Sequence, residues 1–294
     1  MDNLNNKFIV TKKVSIIGIL SNLFLLLIKS IIGFSTKSQA MIADSMNSAT
    51  DIFASLMTFI GNKIASEPND ESHNLGHGKA EYIFSLFISI SMLFLGLNFL
   101  YNSILTLIKN NKFTFSWFLI IVSIITIISK LFLYLYTKKS YLKYSNILLK
   151  ANMEDHRNDC IITTFTLISS LLTLFNIYFF DGIVGICISI WICYTGFKIF
   201  IESYNILMDI SIDEKTKKII LDELNSYENI CDVISLLSAP IGSKYMIFIT
   251  IAVDGNMSTF DSHTLADHLE KNISNLNNIY TTIVHVEPYI EKQV

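Results

Sequence analysis

The sequence predicts an α-helical membrane protein: six transmembrane helices, then a small cytoplasmic α+β domain. Three observations predict it. The 294-residue chain is 51% hydrophobic and only 16% charged, with a mean hydropathy of +0.48, whereas soluble domains carry about 25% charged residues. Six apolar stretches each reach the ~20 residues that a helix needs to cross hydrocarbon. From Asp209 onward the composition turns to that of a soluble domain. Residues 1–208 are therefore expected to form the membrane domain and residues 209–294 the cytoplasmic one.

The same composition excludes other classes. A net charge of −3 and the lack of any basic cluster leave no footprint for nucleic acid. The four cysteines, Cys160, Cys187, Cys193 and Cys231, include no Cys-x-x-Cys pair and form no disulfide framework. The first apolar stretch is too long for a signal-peptide core and lacks an Ala-x-Ala cleavage site, so it is expected to persist. No nucleophile–base pair, phosphate loop or metal-hydrolase motif points to an enzyme.

In order, the expected spans run from about Val14 to Phe34, Gln39 to Ile64, Tyr82 to Ile108, Phe115 to Tyr136, Ser145 to Phe179 and Gly182 to Ile201. Lysines set the orientation. Lys7, Lys12 and Lys13 precede span one, Lys63 and Lys79 flank loop two–three, and Lys138, Lys139, Lys143 and Lys150 fill loop four–five. The opposite loops hold only Lys37, Lys109 and Lys112, so both termini are expected in the cytoplasm of a multi-pass cell-membrane protein. Lys29 and Lys130 lie within spans and are expected to snorkel to an interface.

Beyond Asp209, helical periodicity runs from Asp213 to Tyr227. Ile230 to Leu237 and Lys244 to Val253 read as strands separated by a Pro240-Ile241-Gly242 turn. Ser258 caps a helix reaching about Asn272, with Asp261 in its first turn. Thr281 to Val286 is the last strand. The order αββαβ predicts a small open-faced sandwich with one sheet face free to pair.

Two spans are interrupted by polar residues. Span five opens Ala151-Asn152-Met153-Glu154-Asp155-His156-Arg157-Asn158-Asp159-Cys160, with the only arginine in the chain. Asp155 and Asp159 are four apart and stack on one helical face, where like charges repel unless a cation sits between them. Ionisable groups inside a span cost roughly 2.5–3.5 kcal/mol each and by default mark an ion pathway. The alternative for this stretch alone is a wet cytoplasmic flank, with the span starting at Ile161. Span two carries Ala43-Asp44-Ser45-Met46-Asn47-Ser48-Ala49-Thr50-Asp51, which has apolar residues on both sides. Asp44, Asn47 and Asp51 share one stripe. Such a set can glue helices together, but an ionised aspartate fits an ion path better.

Spans two and five run in opposite senses, which would set Asn47 level with Asp159 and Asp51 level with Asp155. One amide and three carboxylates then close around one ion. Oxygen-only ligands suit Mn²⁺, Mg²⁺ or Ca²⁺, whereas Zn²⁺ and Cu⁺ prefer nitrogen and sulfur. Three carboxylates in low dielectric need a cation, so the empty site should take up protons. Competition between metal and proton is the minimal chemistry of an antiporter.

At these residues the sequence resembles the cation diffusion facilitator family. The Ala-Asp-Ser-x-x-Ser-x-x-Asp pattern of span two matches that family's second helix. Gly76-His77-Gly78-Lys79-Ala80-Glu81 matches its Gly-His-Gly-Lys-Ala-Glu signature. Asp155 and Asp159 lie where zinc members carry His-x-x-x-Asp. The resemblance spans nearly the whole chain. It implies a homodimer in the lipid bilayer that exports a divalent metal from the cytoplasm in exchange for protons by alternating access. The set Asn47, Asp51, Asp155 and Asp159 is similar to the manganese branch. Asp70, His73 and His77 match a second metal site of bacterial members, the alternative being a solvated loop. His263, His285 and Glu287 match cytoplasmic metal positions, but two further histidines of that pattern are Ile234 and Thr250 here. Gly78 to Glu81 read as the start of a helix and interface packing.

The expectation is thus a Mn²⁺/H⁺ antiporter with no cofactor beyond the transported ion. Asp44 and His156 are placed on a proton or exit path. Two rivals stay open: the same fold exporting Zn²⁺, Fe²⁺ or Co²⁺, and a membrane metal sensor that does not transport.

Overall fold

The computed structural model describes residues 2–36, 39–109, 117–172 and 179–289. It divides into two compact units, Met1–Asp70 with Ala80–Tyr204, and Glu71–Lys79 with Asn205–Val294. The first unit is built from six long helices: α1 (Asp2–Thr36), α2 (Gln39–Ala65), α3 (Ala80–Lys109), α4 (Trp117–Tyr144), α5 (Ile147–Leu172) and α6 (Phe179–Leu207). Within α1, α3, α4 and α6 lie stretches long and apolar enough to cross a bilayer: Asn6–Ile32, Ala80–Leu105, Ile120–Tyr144 and Gly185–Leu207. The remaining two, α2 and α5, are the helices that carry the polar sets.

The outer surface of the first unit is apolar, unlike that of a soluble bundle. Large apolar side chains such as Leu20, Phe24 and Ile31 on α1, Phe94 and Leu97 on α3, and Ile128 and Phe132 on α4 face outward, where lipid is the solvent. Polar residues face inward. Ser48, Asp51, Ser55, Thr58 and Asn62 are all buried and form one stripe of α2 at helical spacing. Helices in lipid associate through close packing and hydrogen bonds rather than hydrophobic burial. Gly18 of α1 shows the first: a Cβ there would meet Ser55 Oγ at 2.8 Å. Thr58 of α2 and Asn152 of α5 show the second, joined by a short buried hydrogen bond.

The connection between α4 and α5 is only two residues long. Ser145 adopts a left-handed backbone (φ 48°). Asn146 then caps α5, its Oδ1 accepting from the Leu148 N–H at 2.7 Å. Span four was expected to end near Tyr136, with the lysines beyond it in a loop. Instead α4 stays helical through Tyr144, because Lys138, Lys139 and Lys143 are good helix formers with no breaker among them. Glu81, near the start of α3, holds this end of the unit together. Lys7 donates to its two carboxylate oxygens at 2.7 and 2.9 Å, and Asn146 Nδ2 donates to Oε1 at 3.2 Å.

The second unit carries α7 (Glu214–Asn225), β1 (Asp232–Ile241), β2 (Lys244–Val253), α8 (Thr259–Ser274) and β3 (Ile279–Pro288). The sheet order is β1-β2-β3, with β1–β2 antiparallel and β2–β3 parallel. This is the expected αββαβ order. Asp213 caps α7, accepting from the Thr216 hydroxyl and N–H, and these bonds hold its carboxyl below the usual carboxylate range. Ser258 caps α8, and its hydroxyl donates to Asp261 at 2.6 Å.

Pro240 was expected in a turn but lies inside β1, opposite Tyr245. A proline is tolerated there because β1 is an edge strand. The turn is instead Gly242-Ser243, with Gly242 at φ +58° supplying the left-handed first position of a two-residue hairpin. Ile247, Ile249 and Ile251 alternate into the core with Ile220, Leu224, Leu265 and Leu269. On the opposite face Leu237, Phe248 and Ile283 are paired across the three strands and all exposed.

Candidate metal centre

The buried acids of α2 and α5 meet on a residue of α4. Lys130 Nζ donates to Asp51 Oδ2 and to Asp159 Oδ2, each at 2.6 Å. The lysine is 1% exposed, and Asp51, Asp155 and Asp159 are buried with it. Asp51 and Asp159 therefore lie within twice that distance of each other. Ligand atoms of Asp155, His156 and Asp159 form a buried group within 4.8 Å of one another. Among the described residues, Asp51 Oδ1, Asp155 Oδ2 and His156 Nδ1 have no hydrogen-bond partner. Unsatisfied buried polar atoms cost about 1–3 kcal/mol each, and unpartnered carboxylate oxygens are the donors that a hard dehydrated cation takes.

Three features differ from the sequence expectation. Lys130 does not snorkel to an interface. The α4–α5 hairpin sets it level with Asp159, since it precedes Ser145 by about as many residues as Asp159 follows it. A buried ammonium is retained where carboxylates compensate its lost hydration. Lys29 of α1 is likewise buried, at 2% exposure.

The second difference is the stagger of α2 and α5. Asp51 meets Asp159 across Lys130, and Thr58 bonds Asn152. Both pairs share one offset, about a helical turn from the level pairing of Asp51 with Asp155. The third is His156, which brings an imidazole into a group expected to offer oxygen alone. Its neighbour Arg157 turns the other way, paired with Glu154 and lying over the Trp191 ring at 5.4 Å.

The side chains of Asp44 and Asn47 lie outside the described residues. Asp70, His73 and His77 also bring ligand atoms within 4.8 Å of one another, in a mostly exposed loop, with the two rings 4.4 Å apart. Gly76 in that loop takes φ +80°. His263, His285 and Glu287 are not gathered into one group among the described residues. His263 lies 3.8 Å from Asp267 and His285 lies 3.5 Å from Glu287, all exposed. Lys79 pairs with Asp209 at 2.7 Å, and Gly78 approaches Gly242 so closely that a Cβ would meet its Cα at 2.9 Å.

A buried carboxylate cluster inside a helical unit with an apolar outer surface, followed by a separate αββαβ unit, is the arrangement of a membrane protein able to hold a cation. Two family descriptions match the chain: "Cation efflux transmembrane domain" over residues 15–208 and "Cation efflux protein, cytoplasmic domain" over residues 212–289. The chain belongs to this family, the cation diffusion facilitators, which are metal efflux transporters of the membrane and not enzymes.

It is similar to an uncharacterized transporter of Methanocaldococcus jannaschii, 28% identical over 276 residues, covering 94% of this chain and 98% of the relative. It is also similar to the manganese efflux system protein MneS of Bacillus subtilis, 27% identical over 278 residues, with 95% and 96% covered. A third relative is the cation-efflux pump FieF of Salmonella agona, 27% identical over 268 residues, with 90% and 88% covered.

Proposed function

We propose that this transporter exports Mn²⁺ from the cytoplasm in exchange for protons, holding the ion with Asp51, Asp155 and Asp159 through carboxylates and Asn47 through its amide oxygen. The observation that carries the reading is the burial of three acids from two helices, with an oxygen of Asp51 and one of Asp155 unpartnered among the described residues. Carboxylate-rich sites suit Mn²⁺, and MneS and its relative MneP, 23% identical, are named for manganese efflux. Once the ion leaves, acids this close in low dielectric draw in other positive charge. Protons supply it, and the export of metal is coupled to their entry.

Asp44 belongs to the outer path of the same stripe, and His156 to the path or the shell of the ion. Both termini face the cytoplasm. A second copy of the chain covers the apolar row Leu237–Phe248–Ile283, giving a homodimer. Asp70, His73 and His77 form an accessory metal site; the His263, His285 and Glu287 positions contribute little to metal binding.

His156 favours a second reading. Its nitrogen beside Asp155 and Asp159 suits Zn²⁺, Fe²⁺ or Co²⁺ better than an all-oxygen set does. Flux in proteoliposomes, comparing Mn²⁺ with Zn²⁺ under an imposed pH gradient, tests both readings. Faster Mn²⁺ movement that collapses with the gradient is the expected result. Faster Zn²⁺ movement would replace manganese, and flux indifferent to the gradient would remove the proton. Asp155→His adds a second nitrogen, and the preference should move toward Zn²⁺ by about tenfold or more in relative flux. Full manganese transport with no gain for zinc would contradict the assignment of ligands.

A further inference from the structure

Lys130 contacts two of the carboxylates assigned above to the transported ion, one from α2 and one from α5. An ion bridging those same two oxygens sits about 2.0–2.6 Å from each. The ammonium, at 2.6 Å from both, already stands there. Two cations cannot share that point. Among the described residues Asp51 Oδ1 and Asp155 Oδ2 have no partner, so an arriving ion has oxygens to bind before the lysine leaves. The four-carbon stem lets the ammonium withdraw. Thr126, one turn back on the same face of α4, is buried, and its hydroxyl, without a partner among the described residues, can receive it.

We propose that Lys130 is a tethered counter-cation: its ammonium holds the ion's place between Asp51 and Asp159 and is displaced when the divalent cation binds, so that it governs both affinity and release. This rests on the carboxylates being the transport site. It adds a competitor carried by the protein itself, which returns as the metal departs and helps to expel it.

Binding of Mn²⁺ to the purified full-length chain in detergent micelles at pH 8, read by titration calorimetry, tests the proposal alongside proteoliposome flux. Lys130→Gln removes the competitor, so Mn²⁺ should bind at least about tenfold tighter while turnover falls. Lys130→Arg keeps a cation whose planar fork grips two carboxylates more firmly, and Mn²⁺ should bind at least about tenfold more weakly. Opposite shifts support displacement. A lysine that only braces the helices gives weaker binding in Lys130→Gln and near-normal binding in Lys130→Arg, which overturns the proposal. So does unchanged binding in both.

Where Lys130→Gln fails to fold, Lys130→Arg decides alone: binding equal to or tighter than that of the original protein overturns the idea. Asp51→Asn separates this from the site assignment. If Asp51→Asn binds and carries Mn²⁺ normally, the transport site is elsewhere and both readings fall together. If Asp51→Asn is inactive while both Lys130 variants bind normally, only the displacement role is lost.

Discussion

Asp51→Asn is expected to lower Mn²⁺ flux by at least about a hundredfold, more than the loss typical of a supporting residue around a metal. The substitution is nearly isosteric, and its carbonyl still accepts from Lys130, so the helices should stay together. What disappears is one of the negative charges that make a dehydrated divalent cation stable inside the bilayer. Asp159→Asn should behave alike, and Asp51→Asn/Asp155→Asn/Asp159→Asn together should leave no flux above protein-free vesicles. Each variant is checked for a single symmetric elution peak before flux is compared. Transport that survives the triple change would mean that the ion crosses by another route.

The second large effect lies away from the metal site, in the helical unit's own stability. Glu81 accepts from Lys7 of α1 and from Asn146, the residue that caps α5. Glu81→Ala strands a buried ammonium and loosens the cap, and breaking such a pair costs about 3–5 kcal/mol. The unfolding midpoint in detergent should drop steeply, with Mn²⁺ affinity little changed in the fraction that stays folded. Lys7→Met/Glu81→Leu removes both charges and should recover most of the loss, because no uncompensated ion remains. A double variant as unstable as Glu81→Ala would locate the cost elsewhere.

How far the sequence could be read depended on whether a residue's environment is set locally. The α2 stripe was legible because Asp51, Ser55 and Thr58 follow helical spacing inside an apolar run, and such a run leaves polar groups only the interior. Ser258 and Asp261 were legible because a cap acts over three residues. Lys130 was not. Its partners lie on two other helices, and a lone lysine in an apolar stretch looks the same whether it reaches for water or for a carboxylate. The usable signal was Ser145-Asn146. An asparagine cap placed directly after an unbroken helix implies a two-residue hairpin, and counting back from Asp159 then lands on Lys130. The stagger of α2 on α5 was illegible for a related reason, since it depends on where Gly18, Asn152 and the lysine let the helices settle. His156 is visible in the sequence, but the i, i+4 spacing that pairs Asp155 with Asp159 gives no sign that the residue beside Asp155 turns toward the same group.

The tight hairpin at Ser145 also assigns the moving parts. With so short a link and a capped α5, α4 and α5 are expected to travel together like two fingers of one hand, carrying the backbones of Lys130 and Asp159 with them. Asp51 rides on α2, on the other side of the seam. Under alternating access, the contact expected to part is Asp51 to the hairpin, with the cargo released at the α2 face first. Spin labels on α4 and α5 should keep their separation through the cycle, while a pair on α2 and α5 should not.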